Sequence, residues 1–133
     1  MLKHSELTES IIKAFYKVYN NLGHGFLEKV YENALVIELQ SMGLSASQQR
    51  AVRIFYNGQV VGNYFADLVV EELVIVELKA AAAIDKAHEA QLLNYLRATE
   101  MEVGLLLNFG LKPEFRRKVF MNDQSSEADG KVE

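Results

Sequence analysis

A chain of 133 residues with 50% hydrophobic composition can bury one core of ordinary size but not two. The absence of cysteine excludes a disulfide framework and a thiolate zinc site. A net charge of −4 and a pI of 5.4 exclude a protein that holds nucleic acid by overall positive charge, so any such binding must use a local patch.

The amino terminus, MLKHSELTES, is polar where a signal peptide needs an apolar run, and no later stretch approaches a membrane span. A cytoplasmic protein with no membrane contact is expected. Ile11, Ile12, Phe15, Val18, Tyr19 and Leu22 then recur at helical spacing, and Gly23 offers a stop. A second helix is predicted over Leu27 to Met42, with Leu27, Val30, Tyr31, Ala34, Leu35 and Met42 on one stripe and Gly43 at its end. Both helices are expected to pack on the sheet that follows.

From Ala46 to Ala80 β-branched and aromatic residues dominate, which predicts strands near 48–56, 60–70 and 73–80. Asn57-Gly58 signals a tight hairpin between the first two, and Glu71-Glu72 separates the apolar runs of the second and third. A helix from about Asp85 to Thr99, a strand from Val103 to Asn108, a turn at Gly110 and an edge strand over Glu114 to Phe120 complete the pattern. The order gives an α/β fold with a central mixed β-sheet flanked by helices. One domain over 1–120 is expected, followed by a disordered tail over 121–133, rich in charged and small residues.

Charges at interior positions carry the functional information. Glu77 and Lys79 lie in the apolar strand Leu73 to Ala80, and their i, i+2 spacing sends both to one face. For these two alone a salt bridge near the strand end is the simpler account. Asp67 changes the balance, because a hairpin through Glu71-Glu72 brings it within about one position of facing Glu77. Two carboxylates that both stay ionised want a cation between them, and all-oxygen ligation suits Mg²⁺ or Mn²⁺. One residue of slip would turn Asp67 to the wrong face.

On the third helix Gln91 and Tyr95 share a stripe with Ile84, Ala87, His88 and Ala98, where satisfying buried backbone groups is an equally good account of them. His88, near the helix start, is expected to be solvated. Glu28 lies in the first turn of the second helix, where the helix dipole favours a carboxylate, and Glu38 lies nearer the middle of the same stripe. The pattern does not choose between these two acids.

Taken together, Gly25-Phe26-Leu27-Glu28-Lys29-Val30-Tyr31, Asp67, Glu77-Leu78-Lys79 and Gln91-Leu92-Leu93-Asn94-Tyr95, with Leu107-Asn108-Phe109-Gly110 as closing strand and turn, resemble the GxxExxY family of the PD-(D/E)XK nuclease superfamily. The arrangement is similar to the branch containing lambda exonuclease and RecB-type nucleases. The resemblance implies a restriction-endonuclease-like core and a Mg²⁺-dependent deoxyribonuclease, with Mn²⁺ as an alternative ion and DNA as substrate, in repair or defence. It implies Glu28, Asp67, Glu77 and the Leu78 carbonyl as metal ligands, Lys79 beside them, and Gln91 and Tyr95 as supporting groups. It also selects Glu28 over Glu38. Phosphate contacts outside the centre would fall to Arg50, Arg53, Lys86 and the cluster Arg116-Arg117-Lys118, each of which is otherwise a solvated surface charge. The acidic net charge leaves a second expectation, a nuclease-fold module without hydrolytic activity that works through a protein partner or as a homodimer.

Overall fold

The computed structural model describes residues 3–121, so the tail for which disorder is expected lies, apart from Met121, outside the described residues. The elements follow the expected order: α1 (Ser5–Leu22), α2 (Glu28–Ser41), β1 (Ala46–Tyr56), β2 (Gln59–Val70), β3 (Val74–Lys79), α3 (Lys86–Arg97), β4 (Val103–Phe109) and β5 (Pro113–Val119). The strands form one mixed sheet in the order β1-β2-β3-β4-β5. Only β3 and β4 pair in parallel, and α3 is the crossover that such a pair requires. Among the described residues no helix is long and apolar enough to cross a membrane.

Local chemistry accounts for the boundaries. Gly23, at φ 69°, ends α1 and donates its N–H to the Tyr19 carbonyl at 2.8 Å. Asn57 and Gly58 both take positive φ (51° and 76°), the backbone that a two-residue hairpin turn demands. Gly104 answers a packing need: a Cβ there would lie 2.7 Å from Leu92, so its absence lets α3 settle on β4.

The core has two sides. Under α1 and α2 lie Phe15, Tyr31, Leu35, Leu68, Val76 and Leu105, and under α3 lie Val69, Ile75, Leu92, Leu96 and Leu106. β4 is buried along its whole length, as a central strand covered on both faces should be.

Two expected stripes are rotated. In α2 the inward row is Tyr31, Leu35 and Leu39 with Glu32, while Leu27 is 80% exposed and Val30 and Met42 also face solvent. The cause is Tyr31, whose hydroxyl donates to the Gly23 carbonyl at 2.6 Å and whose ring stacks on Phe109 at 4.2 Å. In α3 the inward row is Leu92, Tyr95 and Leu96, and Ala87 and Ala98 are exposed.

The regular alternation of β2 fails at one place. Ala66 and Val69 belong to the side covered by α3, whereas Leu68 and Val70 belong to the side covered by α1 and α2. An odd separation on one face means that the strand turns over between Ala66 and Leu68. Across from it, Gln49 takes φ 53° between the pairs Gln48↔Leu68 and Arg50↔Ala66. β2 pairs with β3 only over Leu68–Val70, so the sheet forks at Asp67.

Candidate active site

The register Leu68↔Val76, carried one step further, sets Asp67 opposite Glu77 at the base of the fork. The two strands are tied there by their side chains. Asp67 N–H donates to Glu77 Oε2 at 2.8 Å, and Leu78 N–H donates to Asp67 Oδ2 at 2.9 Å. Each carboxylate thus spends one oxygen on backbone. Asp67 Oδ1 takes only a long contact, 3.4 Å, from the Gln49 amide. In an extended strand the N–H and C=O of a residue leave the same edge, so the Leu78 carbonyl looks toward the fork as well.

Burial raises the Asp67 pKa, the Leu78 N–H offsets part of that, and the negative charges of Glu32 and Glu28 add to the rise. Glu77, only 4% exposed, is pushed up to about 8, first by burial and then by the Asp67 charge, with Lys79 pulling the other way. Without a cation this pair holds a proton near neutral pH. A hard divalent ion would fit both features, since it would replace that proton and use the carboxylate oxygens left over from the backbone.

The expected residues do not all converge to the same degree. Lys79 stands within electrostatic reach of Glu77, and Tyr95, pushed up to about 12 by burial, feels the charges of both Glu77 and Asp67. Gln91 donates its amide to the Tyr95 hydroxyl at 3.1 Å, one helical turn away. Glu28 is exposed at the start of α2, yet its charge reaches both carboxylates. Among the described residues no three acidic or histidine side chains close around a common point, so an ion here would rest on two carboxylates, backbone and water. Glu38 is occupied elsewhere, in an ion pair with Lys17 at 3.0 Å. His88, expected to be solvated, instead completes a capping box with Asp85 at the start of α3.

Most of the candidate phosphate-binding cations are already engaged. Arg50 grips Glu72 through both terminal guanidinium nitrogens, at 2.7 and 2.5 Å. Lys118 and Arg116 pair with Glu89 at 2.6 and 3.8 Å, and Arg117 donates to the Lys3 carbonyl. Arg53 and Lys86 remain exposed.

Glu32, Gln49 and Asn108 escaped the sequence reading. Glu32 is buried, 3% exposed, and accepts from Lys29 at 3.1 Å, from Gln48 at 2.8 Å and from Gln49 at 3.1 Å. Because the same Gln49 amide reaches Asp67, this network joins α2 to the fork. The available signal was an acid next to Tyr31 in the inward row. Asn108, fully buried, is the third: it accepts from Ala81 N–H at 2.9 Å and donates to the Ala81 carbonyl at 3.0 Å, fixing the chain just beyond Lys79. A lone polar residue in the run Val103–Phe109 was its signal.

No curated protein matches the chain. Among solved structures, the crystal structure of SSO0001 is similar, with a TM-score of 0.55 at 19% identity over 92% of this chain. This chain spans 62% of the length of that one, and the likeness is one of fold. A family model for the PD-(D/E)XK nuclease superfamily matches residues 5–118, with the mixed sheet and flanking helices that go with it, and the chain belongs to that superfamily.

Proposed function

We propose that the fork at Asp67 and Glu77 is the active site of a divalent-metal-dependent nuclease that hydrolyses DNA phosphodiester bonds, in repair or defence. One observation carries this reading: a buried carboxylate, Glu77, faces a half-buried one, Asp67, each anchored to backbone through one oxygen, in a setting that disfavours the charge of both. The motif Gly25 to Tyr31 with Gln91 and Tyr95 supports membership in the GxxExxY subfamily and its affinity to the lambda exonuclease and RecB-like branch.

Asp67, Glu77 and the Leu78 carbonyl would hold Mg²⁺ or Mn²⁺, with Glu28 acting through water. Such an ion supplies charge neutralisation at the phosphate and makes water a stronger acid. Hydrolysis forms one P–O bond to the water oxygen and breaks one P–O bond, and the departing oxygen takes up a proton. The Lys79 ammonium, next to Glu77, orients the attacking water and stabilises the charge that builds on the phosphoryl oxygens. Tyr95, its pKa far above neutrality, stays a hydrogen-bond donor throughout, and the Gln91 amide fixes its hydroxyl.

The test is cleavage of single-stranded, double-stranded and branched DNA with Mg²⁺ or Mn²⁺, run beside Glu77→Ala and Lys79→Ala. The wild type is expected to cut, and each variant to lose on the order of 100-fold or more. Equal inertness of all three, with a melting temperature still raised by the metal, would leave the second reading, a silent module with a protein partner. The engagement of Arg50, Arg116 and Lys118 in ion pairs favours that alternative.

A further inference from the structure

Beyond the fork β1 and β2 continue together without β3, so residues 50–66 make a two-stranded arm. Its surface is unusual for one that meets water. Of the five Phe and Tyr side chains that stand exposed among the described residues, four lie on the arm: Phe55, Tyr56, Tyr64 and Phe65. The remaining one, Phe26, lies beside Glu28.

The register sorts these groups by face. Phe65 pairs with Ala51, two residues before Arg53, so Phe65 and Arg53 stand on the same face, and Phe55 follows beyond a shift of register between Ile54 and Phe55. Arg53 is exposed and has no ion-pair partner among the described residues. Tyr64 stands on the other face, where its ring meets Tyr95 with centroids 6.0 Å apart. Rings thus stand on both faces of the arm, and the one on the α3 side, Tyr64, meets the group that feels Asp67 and Glu77.

Charge points to the occupant. In a chain with a net charge of −4, no acidic residue occurs between Glu38 and Asp67, and of the arm's two arginines Arg50 is held by Glu72, which leaves Arg53. Flat rings beside an arginine, on an acid-free ribbon leading to a phosphodiesterase centre, suit a strand whose bases are free to stack and whose phosphates need a cation. A duplex keeps its bases stacked on one another and offers the rings nothing.

We propose that the β1–β2 arm is a stacking platform for unpaired bases, and that it feeds a single-stranded nucleic acid, or the single-stranded flank of a duplex, toward the fork. Its direction toward the fork rests on the nuclease reading; the binding itself does not. Fluorescence anisotropy of a labelled oligothymidylate and of a duplex of equal length, measured with the full chain in EDTA, separates the two. The expected result is tighter binding of the oligothymidylate, and weakening by roughly tenfold for each ring removed in Phe55→Ala and Phe65→Ala. Phe55→Trp should retain binding, and the melting temperatures should stay level because these rings are exposed. Unchanged oligothymidylate binding in the double variant overturns the proposal. So does a double variant that changes only the oligomeric state in sedimentation, since the arm would then be a contact between copies of the chain. Arm-dependent binding without cleavage in Mg²⁺ or Mn²⁺ upholds the platform and removes the nuclease reading. Cleavage of all substrates that ignores the arm does the reverse.

Discussion

Val60-Val61 and Val69-Val70 are the same dipeptide in the same strand, yet Val61 is 63% exposed and Val70 is fully buried. The second pair has β1 on one side and β3 on the other, with helices over the sheet, whereas the first has β1 alone. Hydropathy is equal, so burial here is decided by the second neighbouring strand and the helices that cover the sheet. Asp67 sits where the one regime gives way to the other. A charged side chain there is held by buried backbone on one side and keeps access to the open fork on the other.

Breaking the rooted half should have the largest effect. Leu68→Ala, at a fully buried position, is expected to cost about 4 kcal/mol in denaturant unfolding, through lost burial and the cavity left behind. At the boundary the sign reverses. Glu77 carries a folded pKa raised to about 8 from an ordinary 4.5, so its contribution to the stability of the metal-free protein is fully present below about pH 4.5 and is lost as pH rises through 8. Glu77→Gln keeps an acceptor for Asp67 N–H and removes that loss. It should stabilise the metal-free protein by on the order of 3 kcal/mol at pH 8, change little at pH 4, and abolish any gain in melting temperature from Mg²⁺. On the arm, Phe65→Ala should shift the unfolding midpoint by less than about 0.5 kcal/mol, because more than half of that side chain already meets water. A Phe65 effect as large as that of Leu68 would show that something covers the arm in solution.

Much of this was legible in the sequence. Helical spacing in α1, the Asn57-Gly58 turn and the apolar runs on either side of Glu71-Glu72 are local signals, and each element formed within a few residues of where they lie. Asp67 and Glu77 were legible as charges in apolar strands, and the hairpin register brought them face to face. The facing row of α2 was not, because the stacking of Tyr31 on Phe109 joins residues far apart in the chain. The partners of Arg50 and Lys118 were hidden for the same reason: Glu72 and Glu89 belong to other elements. Nor could alternation alone foresee a strand that turns over at Asp67, since Gln49, a residue with no special claim on positive φ, supplies the matching irregularity.

The parallel pairing of β3 with β4 also sets an order of events during synthesis. β1, β2 and β3 can pair as they emerge, but the strand that bears Glu77 and Lys79 keeps one edge open until Val103–Phe109 follows α3 out of the ribosome. Until then its apolar run is a free edge for any other strand to join. The fork is therefore flanked by a complete sheet only after β4 has been made, and a nascent chain halted at α3 would expose an edge of the kind that chaperones shield.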